Sequence, residues 1–356
     1  MSGLSRPTQP ISVREMEGPL HISAARQARV LIVTGGDRIY RSATPGRVGI
    51  LGVSDVDGLL PKDMPTRRLD LTMDLEPMLM MLKQQGSGGN LSAFHCVLNL
   101  VSEADRSPNT LEALRLLLRG YSGRVINRPE AVLRTSRHEV AEVLRGIPGL
   151  LVPRVLRFRG GDADAAVGAV TGAGLNFPLI VRHTATHRGK TMALVEEHDQ
   201  FRTAVAEDRE YFAIEFVDYS GGDKLFRKYR MWSFGGRQVF RHLAITTHWN
   251  VHVTDANAFM IDRPELIEEE VRLMERAEGD FPNQVHAIVS EIGERLGLDC
   301  FGVDFGFHPD GRMVLFEANA AMSFFPLVVD PRFQFREKLL APAQQAFTSM
   351  LSLQEC

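Results

Sequence analysis

The stretch CFGVDFGFHPDGRMVLFEANAAM, which runs from Cys300 to Met322, has the pattern of two β-strands joined by a short turn. Its first strand places one acid, Asp304, in an apolar run, and its second strand ends with Glu317 and Asn319. Alternate side chains of a strand share a face, so Glu317 and Asn319 lie on the same face. The stretch therefore predicts an antiparallel hairpin that carries acids into a largely apolar sheet.

The length of the turn decides whether the two acids meet. If the loop is even, either Asp310-Gly311 alone or residues 309–312, Asp304 lies directly across from Glu317, with Cβ atoms about 5 Å apart. A three-residue loop with a bulge at Gly311 would instead put Glu317 on the opposite face. The proline before Asp-Gly leaves this second geometry open.

Two carboxylates that face each other directly repel unless a cation lies between them. Mg²⁺ takes oxygen ligands, commonly one or two carboxylates together with phosphate oxygens of a nucleotide. The amide oxygen of Asn319 would add a neutral ligand. The hairpin therefore predicts a magnesium site formed by Asp304, Glu317 and Asn319. The alternative is a solvated hairpin whose acids face water.

The composition is that of a globular protein with room for two or three domains: 356 residues, 44% hydrophobic and 24% charged. A net charge of -3 argues against nucleic-acid binding through bulk positive charge, so we expect a small-molecule partner. Three scattered cysteines predict neither a disulfide framework nor a cysteine zinc site, which fits a cytoplasmic location. The chain has no signal-like segment and no run of about 18 apolar residues, so we expect neither secretion nor membrane insertion.

Strand and turn patterns divide the chain into four predicted parts. They are a flexible arm (1–27), an N-terminal doubly wound α/β domain (28–128), a central α+β unit (129–219) and a C-terminal α+β unit (220–356). In the second part, ARVLIVTGG (28–36) is typical of a buried parallel strand. In the third part, Ser136 and Glu139 predict a capping box at the start of a helix.

The order of Asp304, a turn and then Glu317-x-Asn319 resembles the metal-binding signature of the ATP-grasp superfamily. Glycine two residues before Asp304 is more similar to the glutathione synthetase and ribosomal-protein glutamate ligase branch than to D-alanine–D-alanine ligases. FPLIVRHTATHRGKTMALVE (177–196) resembles the central hairpin of the superfamily, and AIEFVDY (213–219) resembles its adenine-binding linker strand. The resemblance spans about residues 125 to 325. It implies an ATP-grasp fold in which two α+β subdomains, preceded by the doubly wound domain, grip ATP.

The resemblance also implies which residues contact the nucleotide. The implied contacts are Arg137, Arg182, Gly189, Lys190, Glu215, Phe216, Val217 and Asp223. Arg182 stands where the family usually has lysine, and the guanidinium fork binds phosphate differently from an ammonium. Arg134 is the competing alignment for Arg137. Either Asp218 or Asp223 would reach the ribose.

Arg230 and Arg241 resemble paired arginines that face the γ-phosphate and the carboxylate that receives it, which implies a catalytic role for both. The implied activity is an ATP-dependent carboxylate–amine ligase that forms an amide through an acyl phosphate, with ATP and Mg²⁺, or Mn²⁺, as cofactors. The implied partners are small-molecule carboxylates and amines, including amino acids or a peptide, and a second copy in a homodimer. The alternatives are an ATP-grasp kinase and a non-catalytic nucleotide-binding regulator.

The segment AAMSFFP (320–326), which follows the predicted metal ligands, lacks the Pro-Gly of several relatives. In those relatives the segment borders the acceptor site. We therefore expect Met322, Phe324 and Phe325 to form an apolar wall that faces a hydrophobic substrate.

Overall fold

The computed structural model arranges the chain around three β-sheets with both parallel and antiparallel pairing, which confirms the predicted mixture of α/β and α+β structure. The residues that it describes are 30–37, 53–71, 80, 91–184, 192–276, 281, 284–320 and 322–352, so the predicted arm at 1–27 lies outside them. The strands are β1 Val30–Thr34, β2 Thr66–Asp70, β3 Cys96–Asn99, β4 Arg124–Ile126, β5 Leu150–Leu151, β6 Val155–Arg159, β7 Leu179–His183, β8 Met192–Val195, β9 Glu210–Glu215, β10 Phe226–Phe234, β11 Arg237–Thr246, β12 Cys300–Phe307 and β13 Met313–Asn319.

The helices pack on the faces of these sheets. They are α1 Val53–Leu59, α2 Pro108–Leu117, α3 Pro129–Leu133, α4 Arg137–Val143, α5 Ala163–Gly172, α6 His198–Ala204, α7 Val253–Ile261, α8 Pro264–Arg276, α9 Val285–Leu296 and α10 Leu340–Leu351, with a 3-10 helix at Pro331–Leu339. Within the described ranges, none of the helices has the length and apolar character needed to cross a bilayer.

The N-terminal sheet is parallel and has the strand order β2-β1-β3-β4. Val30 and Ile32 of β1 pack against α1 and α10, whereas Leu31 and Val33 pack against α2. Helices therefore cover both faces of the sheet. A strand that is buried on both faces is apolar at every position, which is why ARVLIVTGG shows no alternation. The predicted doubly wound α/β unit is confirmed.

The central sheet is antiparallel and has the order β6-β9-β7-β8. Helices α5 and α6 cover one face, where Phe201 of α6 packs in a cluster with Val181 and Ala213. Because side chains alternate along a strand, Arg182 and Phe212 point to the other face. That second face forms one wall of the cleft that holds the candidate site.

The C-terminal sheet has the order β11-β10-β12-β13-β5. Strand β5 lies within the predicted central unit (129–219), yet it pairs in parallel with β13. Helices α3 and α4 also pack in the core of this sheet, through Val132 and Val140. Residues 129–151 thus tie the central unit to the C-terminal sheet.

Helix α4 begins at Arg137 with Ser136 as its N-cap residue, as predicted. The Ser136 hydroxyl donates a hydrogen bond of 2.7 Å to Oε2 of Glu139. The two side chains of the predicted capping box therefore bond to each other, and Ser136 does not accept a backbone N–H bond. This short helix sets the position of Arg137 at the candidate site.

Asn127 connects the N-terminal sheet to the C-terminal sheet. Its side chain is buried between the end of β4 and the start of β12. Its amide nitrogen donates to the carbonyl oxygen of Cys300 at 2.6 Å, and its amide oxygen accepts the backbone N–H groups of Asp299 and Cys300 at 2.8 and 2.9 Å. One side chain thus satisfies three backbone groups at the start of β12.

We expect Asn127→Ala to lower the free energy of unfolding by at least about 2 kcal/mol, since an unsatisfied buried polar group costs about 1–3 kcal/mol. Urea denaturation followed by circular dichroism measures this loss. Arg145→Ala, which removes only an exposed ion pair with Glu142, is the control and should cost less than about 1 kcal/mol. Equal losses in the two variants would contradict the role given to Asn127.

Candidate functional site

The turn of the 300–322 hairpin does not have an even length. The backbone N–H of His308 donates to the carbonyl oxygen of Arg312 at 2.9 Å, so the loop consists of residues 309–311. Gly311 adopts a φ of +90°, a conformation that favours glycine. This is the three-residue alternative, which by itself would separate the two acids.

A second irregularity restores the predicted opposition of the acids. Near the turn, Phe305 pairs with Leu315, but the register then shifts by one residue, and Asp304 pairs with Glu317. Phe316 is the extra residue of this β-bulge. A bulge re-aims the side chains that follow it. Asp304 therefore lies opposite Glu317, as the even loop would have placed it, although the loop has three residues.

Asp304 is an ionised carboxylate inside the sheet, with only 3% of the residue exposed. Arg230 lies directly across from it on β10 and donates two hydrogen bonds, of 2.6 and 2.8 Å. The Nζ atom of Lys228 lies 3.3 Å from its Oδ2 atom. Burial by itself would raise the pKa of Asp304, but Arg230 and Lys228 outweigh burial and lower that pKa to about 2.

Glu317 lies beside a second group of cations. Its Oε1 atom is 3.5 Å from the guanidinium of Arg137 and accepts a hydrogen bond of 2.9 Å from the Asn319 amide. Burial opposes its ionisation, whereas Arg137 and Arg182 favour it, and the pKa of Glu317 is lowered overall. Both acids of the hairpin are therefore charged at neutral pH.

The donor set of this face fits Mg²⁺. Asp304 and Glu317 carry carboxylate oxygens at opposed positions, with both oxygens of Asp304 now bound by Arg230, and Asn319 follows on the same face of β13. In the described part of the chain, no group of three or more His, Cys, Asp or Glu side chains is placed to hold a metal ion. A metal at this hairpin would thus need oxygens from a second ligand, as Mg²⁺ bound with a nucleotide does.

An open cleft of about 840 Å³ of empty space lies between the central and C-terminal sheets and is closed at one side by the 102–106 loop of the N-terminal unit. Glu317 and Asn319 line it together with Arg137 and Arg182. Its apolar lining includes Val140, Val152, Val155, Phe212, Ile214, Leu315 and Phe316. The lining thus combines charged side chains, which also include Glu103, Asp105 and Arg106, with an apolar surface, and such a cleft suits a ligand that is both anionic and aromatic.

Arg137 and Arg182 place positive charge at the acidic hairpin. Arg137 donates a hydrogen bond of 2.7 Å to the carbonyl oxygen of Phe316, the bulged residue. Burial and the neighbouring Arg137 lower the pKa of Arg182 to about 10, against the opposing effect of Glu317. Arg182 therefore stays charged at neutral pH, in a setting that favours an added anion.

The remaining predicted nucleotide contacts have other partners. The Glu215 carboxylate accepts a hydrogen bond of 3.1 Å from the backbone N–H of Arg154, Phe216 packs edge-on against Trp249, and Asp223 is bound by Arg227 at 2.8 Å. None of these is among the residues that line the cleft, nor is Val217. Gly189 and Lys190 lie outside the described residues. The nucleotide roles of all these residues stay predictions.

The two predicted catalytic arginines both hold the segment 323–326. Arg230 donates to the carbonyl oxygen of Ser323 at 3.2 Å in addition to Asp304. Arg241 is the extra residue of a bulge in β11, and its guanidinium donates to the carbonyl oxygens of Phe324 and Pro326. The structure thus brings Arg230 to the acidic hairpin, and it places Arg241 under the backbone that follows the hairpin.

The expected apolar wall is wrong for two of its three residues. Met322 and Phe324 are buried in a cluster with Trp232 and Phe234 and do not face the cleft. Phe325, the third residue, lies next to Gly58 of α1. Removing large apolar side chains from water lowers the free energy of the folded state, so these residues are more stable in the core than at a polar cleft.

Two residues near the site were missed from the sequence. Lys228 shares a face with Arg230 because strand positions two apart do so, and this parity could have revealed it. His242 lies on β11 and pairs with Arg230 of β10. The sequence pattern does not predict the register that places it there. His242 is buried, and neither ring nitrogen has a hydrogen-bond partner within the described parts of the chain.

His242 gives a test of these electrostatics. Burial, and then the charges of Arg241, Arg230, Arg336 and Lys228, hold its pKa well below the usual 6.5. The folded state therefore binds fewer protons than the unfolded state below pH 6.5. Stability should fall as the pH drops below 6.5, by up to about 1.4 kcal/mol per pH unit for this one group.

We expect His242→Gln to make the free energy of unfolding less dependent on pH between 6.5 and 5, as measured by urea denaturation at each pH. The exposed His248→Gln is the matched control and should keep the wild-type pH dependence. An unchanged pH dependence in His242→Gln would show that the buried ring is not the group responsible.

Solved structures share this architecture. A RimK domain ATP-grasp protein from Sphaerobacter thermophilus aligns at 17% identity over 91% of this chain and 99% of its own, with a TM-score of 0.50. The ATP-grasp ligase PsnB, complexed with a precursor peptide and AMPPNP, aligns at 14% identity over 93% and 100%, with a TM-score of 0.51. The VanG D-Ala:D-Ser ligase from Enterococcus faecalis aligns at 13% identity over 92% and 100%, with a TM-score of 0.53.

No protein-family model and no curated protein matches the sequence. At identities of 13–17%, these structural matches establish a shared fold and nothing finer. The branch named from the sequence stays a prediction. The order of the sheets, the acidic hairpin and these structural matches agree: the chain has the ATP-grasp fold.

Proposed function

We propose that this protein is an ATP-dependent carboxylate–amine ligase that forms an amide through an acyl phosphate. The observation that carries the proposal is the opposition of Asp304 and Glu317 in the hairpin, with Glu317 in the lining of the cleft beside Arg137 and Arg182. On an ATP-grasp fold, opposed acids with flanking cations are suited to bind a nucleoside triphosphate and its metal ion.

The charges of the site favour a polyanion. Arg137 and Arg182 lie beside Glu317, Arg230 binds Asp304, and the proposed reaction requires no covalent nucleophile from the protein. Mg²⁺, held by Asp304, Glu317 and Asn319, would neutralise charge on the phosphates when it is bound. The apolar residues that line the cleft would contact the adenine base.

In the proposed reaction, a substrate carboxylate oxygen attacks the γ-phosphorus, and the bond from phosphorus to the β,γ-bridging oxygen breaks to release ADP. An unprotonated amine then attacks the acyl carbon, and the carbon–oxygen bond to phosphate breaks to leave an amide. The protein contributes by placing the reactants and by stabilising the negative charge. Arg230 would help to stabilise this negative charge, because its guanidinium lies between Asp304 and the 323–326 segment.

The substrate class is proposed as amino acids or peptides. PsnB was solved with a precursor peptide, and VanG is a D-Ala:D-Ser ligase. Both share this fold along nearly the whole chain, which supports a substrate that carries a carboxylate or an amine. Two buried free thiols, Cys96 and Cys300, support the further proposal of a reducing compartment.

The test is ATP consumption with Mg²⁺ against a panel of amino acids, small carboxylates and peptides, with mass spectrometry of ADP, phosphate and coupled product. We expect an amide product, and we expect Glu317→Gln to lower kcat/KM by on the order of 10²-fold, because a charged group that acts on the phosphates is lost. Glu268→Gln, which changes an exposed side chain of α8, is the matched control and should retain activity.

A phosphorylated product in place of an amide would overturn the ligase assignment in favour of a kinase. Full turnover in Glu317→Gln would overturn the site itself. Tight ATP binding by the wild-type protein without turnover on any panel member would contradict the proposed substrate class and favour a regulator.

A further inference from the structure

Lys228 lies in the acidic hairpin's ion network, although neither the sequence pattern nor the fold assigns it a role. It is on β10, two residues before Arg230 and on the same face. Its Nζ atom is 3.3 Å from Oδ2 of Asp304, while Arg230 binds both oxygens of the same carboxylate. The Lys228 side chain is 16% exposed, and that of Asp304 is 4% exposed.

One carboxylate therefore balances two cations. Among the described residues, Asp304 is the only carboxylate within 4 Å of Lys228. The residue across from Lys228 on β11 is Ala244, and His242, one pair further along that face, is kept neutral by its surroundings. A largely buried ammonium needs an anionic partner, and Lys228 has to share its one carboxylate neighbour, Asp304, with Arg230.

The two cations differ in how readily they can move. Arg230 is fixed by a two-point contact with Asp304 and a third bond to the carbonyl oxygen of Ser323. Lys228 has a single charge on a flexible stem, with three donors that can turn to a new acceptor. If a divalent cation bound Asp304, the Lys228 ammonium would be repelled from its present position, whereas the phosphate of a nucleotide would attract it.

We propose that Lys228 is a phosphate ligand that exchanges partners: it neutralises Asp304 in the nucleotide-free protein and binds the terminal phosphate of ATP when the nucleotide enters. The inference rests on the proposed function, because it needs ATP in the cleft. It has two consequences of opposite sign. Lys228 strengthens the binding of the triphosphate, and it weakens the binding of a divalent cation alone, since it competes for Asp304.

Lys228→Met separates these consequences, because it keeps the length of the side chain and removes the charge. Calorimetry would measure the Kd of AMPPNP and of ADP, each with Mg²⁺. We expect the Kd of AMPPNP to rise about tenfold or more through loss of one charge-assisted contact, and the Kd of ADP to change much less. Electron paramagnetic resonance would measure Mn²⁺ without nucleotide, which we expect to bind more tightly to the variant.

Two further variants complete the experiment. Lys338→Met, which changes an exposed lysine outside the cleft, is the matched control and should behave as wild type in all three titrations. Lys228→Arg keeps the charge and should restore most of the preference for AMPPNP over ADP. If Lys228→Met does not fold, Lys228→Gln, which keeps a donor for Asp304, provides the same comparison.

The outcomes separate the inference from the proposed function. If the wild-type protein binds neither nucleotide, the proposed function fails, and the inference fails with it. If the wild-type protein binds both and Lys228→Met keeps the wild-type ratio of the two Kd values, only the inference is overturned. A general loss of affinity for Mn²⁺ and both nucleotides would also overturn it, because a merely structural lysine would have that effect.

Discussion

A charged carboxylate inside a β-sheet is the constraint on which the rest of this structure depends. Asp304 is almost fully buried, and without nearby cations the burial would drive it to take up a proton. Arg230 and Lys228 prevent this from the neighbouring strand. Their contact requires that β10 and β12 keep one register, since a slip of one residue would turn the arginine to the other face. The register of β10 and β12 in turn sets the position of every group on that face.

Two bulges on either side of this fixed pair build the site. In β13, the extra residue Phe316 brings Glu317 opposite Asp304 after an odd-length turn. In β11, Arg241 is the extra residue of a bulge, and its side chain points toward the segment after the hairpin. His242 consequently lies opposite Arg230. Each bulge interrupts the ladder next to the functional groups, where a local change of direction re-aims a side chain without loss of the sheet.

The site also depends on parts that come from far along the chain. Arg137 stands at the start of a helix, and Arg182 stands on a strand of another sheet, yet both act on Glu317 of the hairpin. The excess of positive charge is tolerated because the groups are held by bonds to backbone carbonyls and to the two acids. An arrangement of this kind is electrostatically complementary to a polyanion. This is the physical basis of the proposed nucleotide site.

The sequence by itself determined the local elements, the acidic hairpin and the fold, because strand periodicity, capping residues and the spacing of Asp304, Glu317 and Asn319 are properties of neighbouring residues. Only the tertiary structure decided that the turn has three residues and that a bulge corrects the register. It also decided that Met322 and Phe324 enter the core, and that Lys228 and His242 join the site. These outcomes depend on which strands become neighbours and on what each side chain gains by burial. Residues distant in the sequence settle both, so no short stretch of sequence contains the answer.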